Sequence, residues 1–71
     1  MECGAKVRFV PAYFESKVLT AVERRALSVT GRIIYINERN KYFVAEYPCG
    51  NEKQREAFNF VDIGKAVKVL G

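Results

Sequence analysis

Seventy-one residues allow one domain, and a 49% apolar content with five Phe and four Tyr supplies material for a compact core. A mean hydropathy of −0.12 and apolar runs far shorter than the ~18 residues of a transmembrane helix speak against a membrane span, and the density of Val, Ile, Phe and Tyr speaks against intrinsic disorder. The net charge of +4, with pI near 9.3, favours anionic partners through a diffuse field, but its acids are interleaved with its bases and no basic run marks a partner.

In chain order, residues 5–10 ("AKVRFV") alternate as a half-buried strand does, with Ala5, Val7 and Phe9 on one side and Lys6, Arg8 and Val10 on the other. Pro11 has no backbone donor and ends the strand or sits on an edge. Residues 12–28 fit two readings. One is a short helix with Val18, Leu19, Val22 and Ala26 on one face and Ser16 as cap, although Leu19 stands where a capping box places Glu or Gln. The other is a long loop or irregular hairpin turning at "ERRA". The strand character of the flanking segments favours the loop or hairpin.

Residues 28–36 ("SVTGRIIYI") are dense in β-branched side chains, and Gly31 within them signals a bulge or sharp bend. A turn at 37–41 ("NERNK") follows, with Asn37 or Asn40 suited to a left-handed position. The returning strand, 42–47, places Phe43, Ala45 and Tyr47 on one face and Tyr42, Val44 and Glu46 on the other. A second turn at 48–53 leads to a strand at 54–60 with Phe58 and Phe60 inward and Glu56 at the rim. A single 3₁₀ turn at 61–64 ("VDIG") precedes a closing strand at 65–70 with Val67 and Val69 inward. Five short strands with one apolar face predict an all-β chain curled into a small barrel, which buries that face and limits exposed edges.

This order resembles the SH3-like barrel superfamily. The resemblance rests on Gly31 with Ile33 and Ile36, the segment 42–47, Phe58, and "VDIG" before "AVKVL", and it covers residues 1–71 as one domain. It implies that the long segment 13–28 is the large loop after the first strand and that a 3₁₀ turn separates the last two strands. An OB-like barrel is the alternative architecture. More narrowly, "GRIIYINERNKYFVAEY" followed by "REAFNF" looks like small proteins of Gram-positive bacteria and their prophages, which implies no established activity. A Tudor-type aromatic cage is not carried over, because Tyr35, Tyr42 and Tyr47 do not share a face under simple alternation.

Catalytic chemistry finds little to work with. The chain has no His, the commonest general base near neutral pH. Cys3 and Cys49 are too few and too far apart for a disulfide framework or a zinc site, and they read as two reduced thiols, with a Cys3–Cys49 bridge left open. Glu46 and Glu56 lie on neighbouring strands as a candidate carboxylate pair, more simply read as partners of Arg32 or Arg55. No phosphate-binding glycine loop or cofactor motif is present. The N-terminal stretch, with Glu2, Lys6 and Arg8, does not read as a signal peptide, so the expected setting is cytoplasmic.

The expected function is that of a non-enzymatic binding or adaptor module. One candidate surface is a basic and aromatic sheet face made by Arg32, Arg39, Lys41, Tyr42 and Arg55, where cations meet phosphates and bases stack on a ring. The alternative is a protein partner or a homodimer docking on Ile34, Ile36 and Val44, expected on the face opposite Ile33 and Phe43 unless Val18, Leu19 and Val22 cover them.

Overall fold

The computed structural model of the protein describes residues 1–11 and 20–71, the side chains of residues 21 and 24 excepted. The elements are β1 (Lys6–Phe9), α1 (Ala21–Leu27), β2 (Val29–Asn37), β3 (Tyr42–Cys49), β4 (Glu52–Asn59), a 3₁₀ turn (Phe60–Asp62) and β5 (Val67–Val69). The strands form a single antiparallel sheet in the order β4-β3-β2-β1-β5. No described helix is long and apolar enough to cross a membrane.

The sheet is strongly curled. Laid flat, β1 and β4 would be three strand spacings, about 14 Å, apart. Instead the rings of Phe9 on β1 and Phe58 on β4 meet edge-on, centroids 4.9 Å apart, and Phe9 meets Tyr47 of β3 at 5.2 Å. The concave side holds Val7, Phe9, Ile33, Phe43, Ala45, Tyr47 and Val67, all buried, with Ile36, Phe58, Phe60 and Val69 packed against them. Apart from Ile36, these are the alternating positions expected from the sequence. No ladder joins β4 to β5 among the described residues, so the sheet stays open, with those two strands as its edges.

Two features of β2 and β3 differ from the expected pattern. Ile33 pairs with Ala45 and Tyr35 with Val44, so Ile34 is an extra residue, a β-bulge. The bulge reverses the alternation beyond it. Tyr35 turns outward beside Val44, and Ile36 turns inward opposite Phe43. Gly31 is not itself the bulge. It lies hard against the β3 backbone, where an added Cβ would lie 2.6 Å from the Glu46 carbonyl oxygen. β1 and β5 are shorter than the expected 5–10 and 65–70, whereas β3 and β4 extend the hairpin between them. β3 continues through Cys49, and β4 begins at Glu52, leaving a two-residue turn at Gly50 and Asn51. Gly50 takes φ +64° at the first turn position, as glycine does in a II′ hairpin. Phe60 opens the 3₁₀ turn rather than ending β4.

The turn between β2 and β3 also departs from expectation. Neither asparagine takes the left-handed position; Lys41 does, with φ +59°. Asn37 instead accepts the Asn40 amide on its Oδ1 at 2.9 Å, closing the turn from its side chain. A lysine in that conformation carries strain that glycine would not. Lys41→Gly is therefore expected to raise stability by about 0.5 kcal/mol, the relief being partly offset by the greater freedom of an unfolded glycine. Urea denaturation would show it as a higher midpoint with an unchanged slope.

Between β1 and β2 the expectation of a loop or hairpin is corrected for residues 21–27, which are helical. The cap is Thr20, not Ser16. The Thr20 Oγ1 accepts the Glu23 amide at 3.1 Å, and the Glu23 carboxylate accepts the Thr20 amide at 3.3 Å, a reciprocal capping box. At the other end the Ser28 hydroxyl donates to the Arg25 carbonyl. Of the expected apolar helix face, Val22 is 79% exposed and Ala26 is exposed as well. Ser16, Lys17, Val18 and Leu19 lie outside the described residues.

Candidate nucleic-acid interface

The curl that gathers apolar side chains on the concave side sends the others to the convex side. Residues directly opposite in neighbouring strands share a face, which makes the convex surface readable from the register. One row across it runs Lys6, Arg32, Glu46 and Arg55, on β1, β2, β3 and β4. Beside it stand Arg8 opposite Thr30, Lys68 opposite Arg8, and Lys53 opposite Pro48. Six cations from four strands thus share one surface: Lys6, Arg8, Arg32, Lys53, Arg55 and Lys68.

Glu46 is the one acid among the strand residues of this face, and it is central. Its carboxylate accepts from Arg55 Nε at 3.2 Å and lies 3.8 Å from Lys53 Nζ. Among the described residues no carboxylate pairs with Lys6, Arg8, Arg32 or Lys68. Arg32 Nη1 donates to the Gly4 carbonyl and Arg8 Nε to the Ser28 hydroxyl, so both guanidiniums are oriented without being neutralised. Lys6, Thr30, Arg32, Glu46, Pro48 and Lys53 line an open groove of about 310 Å³ on this face.

Along β3 the surface changes from charged to aromatic. Val44, one pleat repeat from Glu46, stands between Tyr35 and Ala57; Tyr42, one repeat further, stands between Asn37 and Asn59. The rings of Tyr35 and Tyr42 are 6.0 Å apart at an interplanar angle of 51°. Asn37 Nδ2 donates to the Tyr35 hydroxyl at 3.3 Å. Tyr35 is 48% exposed, whereas Tyr42 is half-buried beside it.

Of the residues expected at a nucleic-acid surface, Arg32, Tyr42 and Arg55 share the convex face, Arg55 already engaged by Glu46. Arg39 and Lys41 are exposed in the turn at the aromatic end, away from the row of strand cations. Lys6, Arg8, Lys53 and Lys68 are not among the expected residues, because only the β1–β2, β1–β5 and β3–β4 pairings bring them to this face. Tyr35 is not among them either, because simple alternation points that ring inward; Tyr35 and Tyr42 do share a face, and Tyr47 lies in the core. The alternative protein-contact set is corrected in the same way. Ile34, 39% exposed, and the half-buried Val44 remain on the convex side, but Ile36 packs against the core. Val22, exposed on its helix, covers neither.

Glu46 and Glu56 do not form a carboxylate pair. Ala45 is the residue opposite Glu56, so the two acids point to opposite faces, and Glu56 accepts the Tyr47 hydroxyl at 3.3 Å at the edge of the core. Cys3 is exposed and Cys49 half-buried, and both thiols are free. No group of three metal-ligating side chains occurs among the described residues. Comparison of the chain with known protein families, with curated proteins and with solved structures finds no match.

Proposed function

We propose that the chain is a non-enzymatic, SH3-like binding module that holds nucleic acid weakly on the convex face of its sheet. The observation that carries this reading is the convergence of six cations from four strands on one face that also presents a tyrosine pair. Phosphates supply the complementary charge, and bases supply the planar partner for a ring. The SH3-like assignment is supported by the return of β5 beside β1 and by the 3₁₀ turn between the last two strands, features that favour it over an OB-like barrel. A cytoplasmic setting and a relation to small prophage proteins of Gram-positive bacteria belong to the same proposal. The absence of catalysis is supported by the lack of His and the separation of Glu46 from Glu56.

A titration of labelled oligonucleotide at two salt concentrations tests the reading. Affinity is expected to fall as salt rises, because phosphate contacts release counterions. Joint replacement Lys6→Glu and Arg32→Glu is expected to weaken binding at least about ten-fold at low salt and to reduce the log–log salt slope by roughly 0.7–0.9 per lost contact. Glu46→Gln should act in the opposite sense. It frees Arg55 and Lys53 for phosphate and removes the central repulsive charge, so affinity rises several-fold, while the exposed ion pairs it removes are worth about 1 kcal/mol of stability or less. No binding at low salt would overturn the proposal and leave self-association through Ile34 and Val44, a reading that sedimentation at several protein concentrations checks.

A further inference from the structure

We infer that the ligand of the convex face is a single-stranded polynucleotide, one of whose bases stacks on Tyr35. The inference rests on the nucleic-acid reading above and narrows it to a ligand class. Tyr35 is presented for such a contact. Nearly half its surface is open, Tyr42 braces its ring, and Asn37 fixes its hydroxyl. Its cross-strand neighbours, Val44 and then Ala57, are small and leave the approach to the ring unobstructed.

The spacing suits one nucleotide step. The row of Lys6, Arg32 and Glu46 is one pleat repeat, about 7 Å along β3, from the row of Val44 and Tyr35. A polynucleotide running along β2 can therefore set a phosphate between Lys6 and Arg32 and the next base on Tyr35. In a duplex the base faces are covered by their neighbours, and only backbone and groove edges remain for the protein. An unpaired strand offers both phosphate and base face, the combination that sequence-tolerant single-strand binders use. An acidic peptide matches the cations but has no flat aromatic partner for the ring, so Tyr35 would contribute little to binding it.

Fluorescence anisotropy with labelled oligo(dT) and oligo(U), the corresponding duplex as competitor and polyglutamate as a second competitor tests this. Single strands, DNA or RNA, are expected to bind more tightly than duplex or polyglutamate. Tyr35→Ala should weaken single-strand binding between about five-fold and 150-fold, the range of one lost base–aromatic stack, without changing the salt slope. Tyr35→Phe, which keeps the ring, should stay within about two-fold of the parent, and Tyr35→Leu, which keeps bulk without a π-face, should fall with alanine. Since the ring is on the surface, all three variants should melt like the parent. Equal affinity for duplex, or full affinity in Tyr35→Leu, overturns the inference and leaves nucleic-acid binding standing. Equal affinity for polyglutamate, or no binding of any polynucleotide at low salt, overturns both.

Discussion

Gly31→Ala is expected to cost about 3 kcal/mol, a large part of the stability a domain of this size can have. The reason is a backbone clash. The added Cβ would lie 2.6 Å from the Glu46 carbonyl oxygen and 3.2 Å from the Tyr47 Cβ. No rotamer change relieves a contact with a carbonyl. β3 would have to move away from β2, yet it is held on its other side by eight residue pairs with β4. Since about 1 kcal/mol shifts the melting temperature of a 60–100-residue domain by roughly 4–8 °C, a fall of more than about 12 °C is expected by circular dichroism. Thr30→Ala, one residue away on the exposed face, should change stability by less than about 0.5 kcal/mol. A Gly31→Ala protein that melts within about 2 °C of the parent would mean that β2 and β3 do not approach as described.

The second large effect is at Phe43. It is completely buried, and its ring faces those of Phe58 at 5.6 Å and Phe60 at 6.4 Å. Phe43→Ala removes the centre of the core and should cost about 3–5 kcal/mol, enough to leave most of the chain unfolded at room temperature. Phe43→Leu keeps most of the volume and should fold with a smaller loss, about 1–2 kcal/mol by urea denaturation. The informative comparison is with Val44, the next residue, which is half-buried on the convex side. Val44→Ala should cost less than Phe43→Leu, and Ala45→Ser more than a comparable exposed change, so that cost alternates along β3. A flat profile along residues 43–47 would contradict the two-faced sheet.

Much of this fold is legible in the sequence, because strand alternation is a local signal and the inward sets from β1, β3 and β5 follow it directly. The misreadings have local physical causes. At Ile34 one extra residue inverts the alternation, and nothing in "RIIYI" says which of three successive apolar residues is the extra one. That single step moved Tyr35 outward and Ile36 inward, and so decided membership of both candidate surfaces. The helix carries its own mark, Thr20 followed three residues later by Glu23, which competes with the equally cap-forming Ser16. Of the apolar positions proposed for it, Val22 is exposed. Lys41 took a conformation that side-chain preferences assign to asparagine, because Asn37 was already engaged with the Asn40 amide. The candidate interface was the least legible part. Lys6, Arg8 and Lys68 are far from Arg32 in the chain, and only β1, lying between β2 and β5, brings them to one face.

The buried core depends on the curl that brings β1 onto β4. Nuclear Overhauser spectroscopy on the protein measures it directly through the rings of Phe9 and Phe58, which occupy strands three positions apart in the sheet. Strong cross-peaks between the two rings, together with Phe9 to Tyr47, are expected from centroid separations of 4.9 and 5.2 Å. Their absence, with the β1–β2 and β3–β4 ladders intact, would mean an uncurled sheet, and the dry core would not follow.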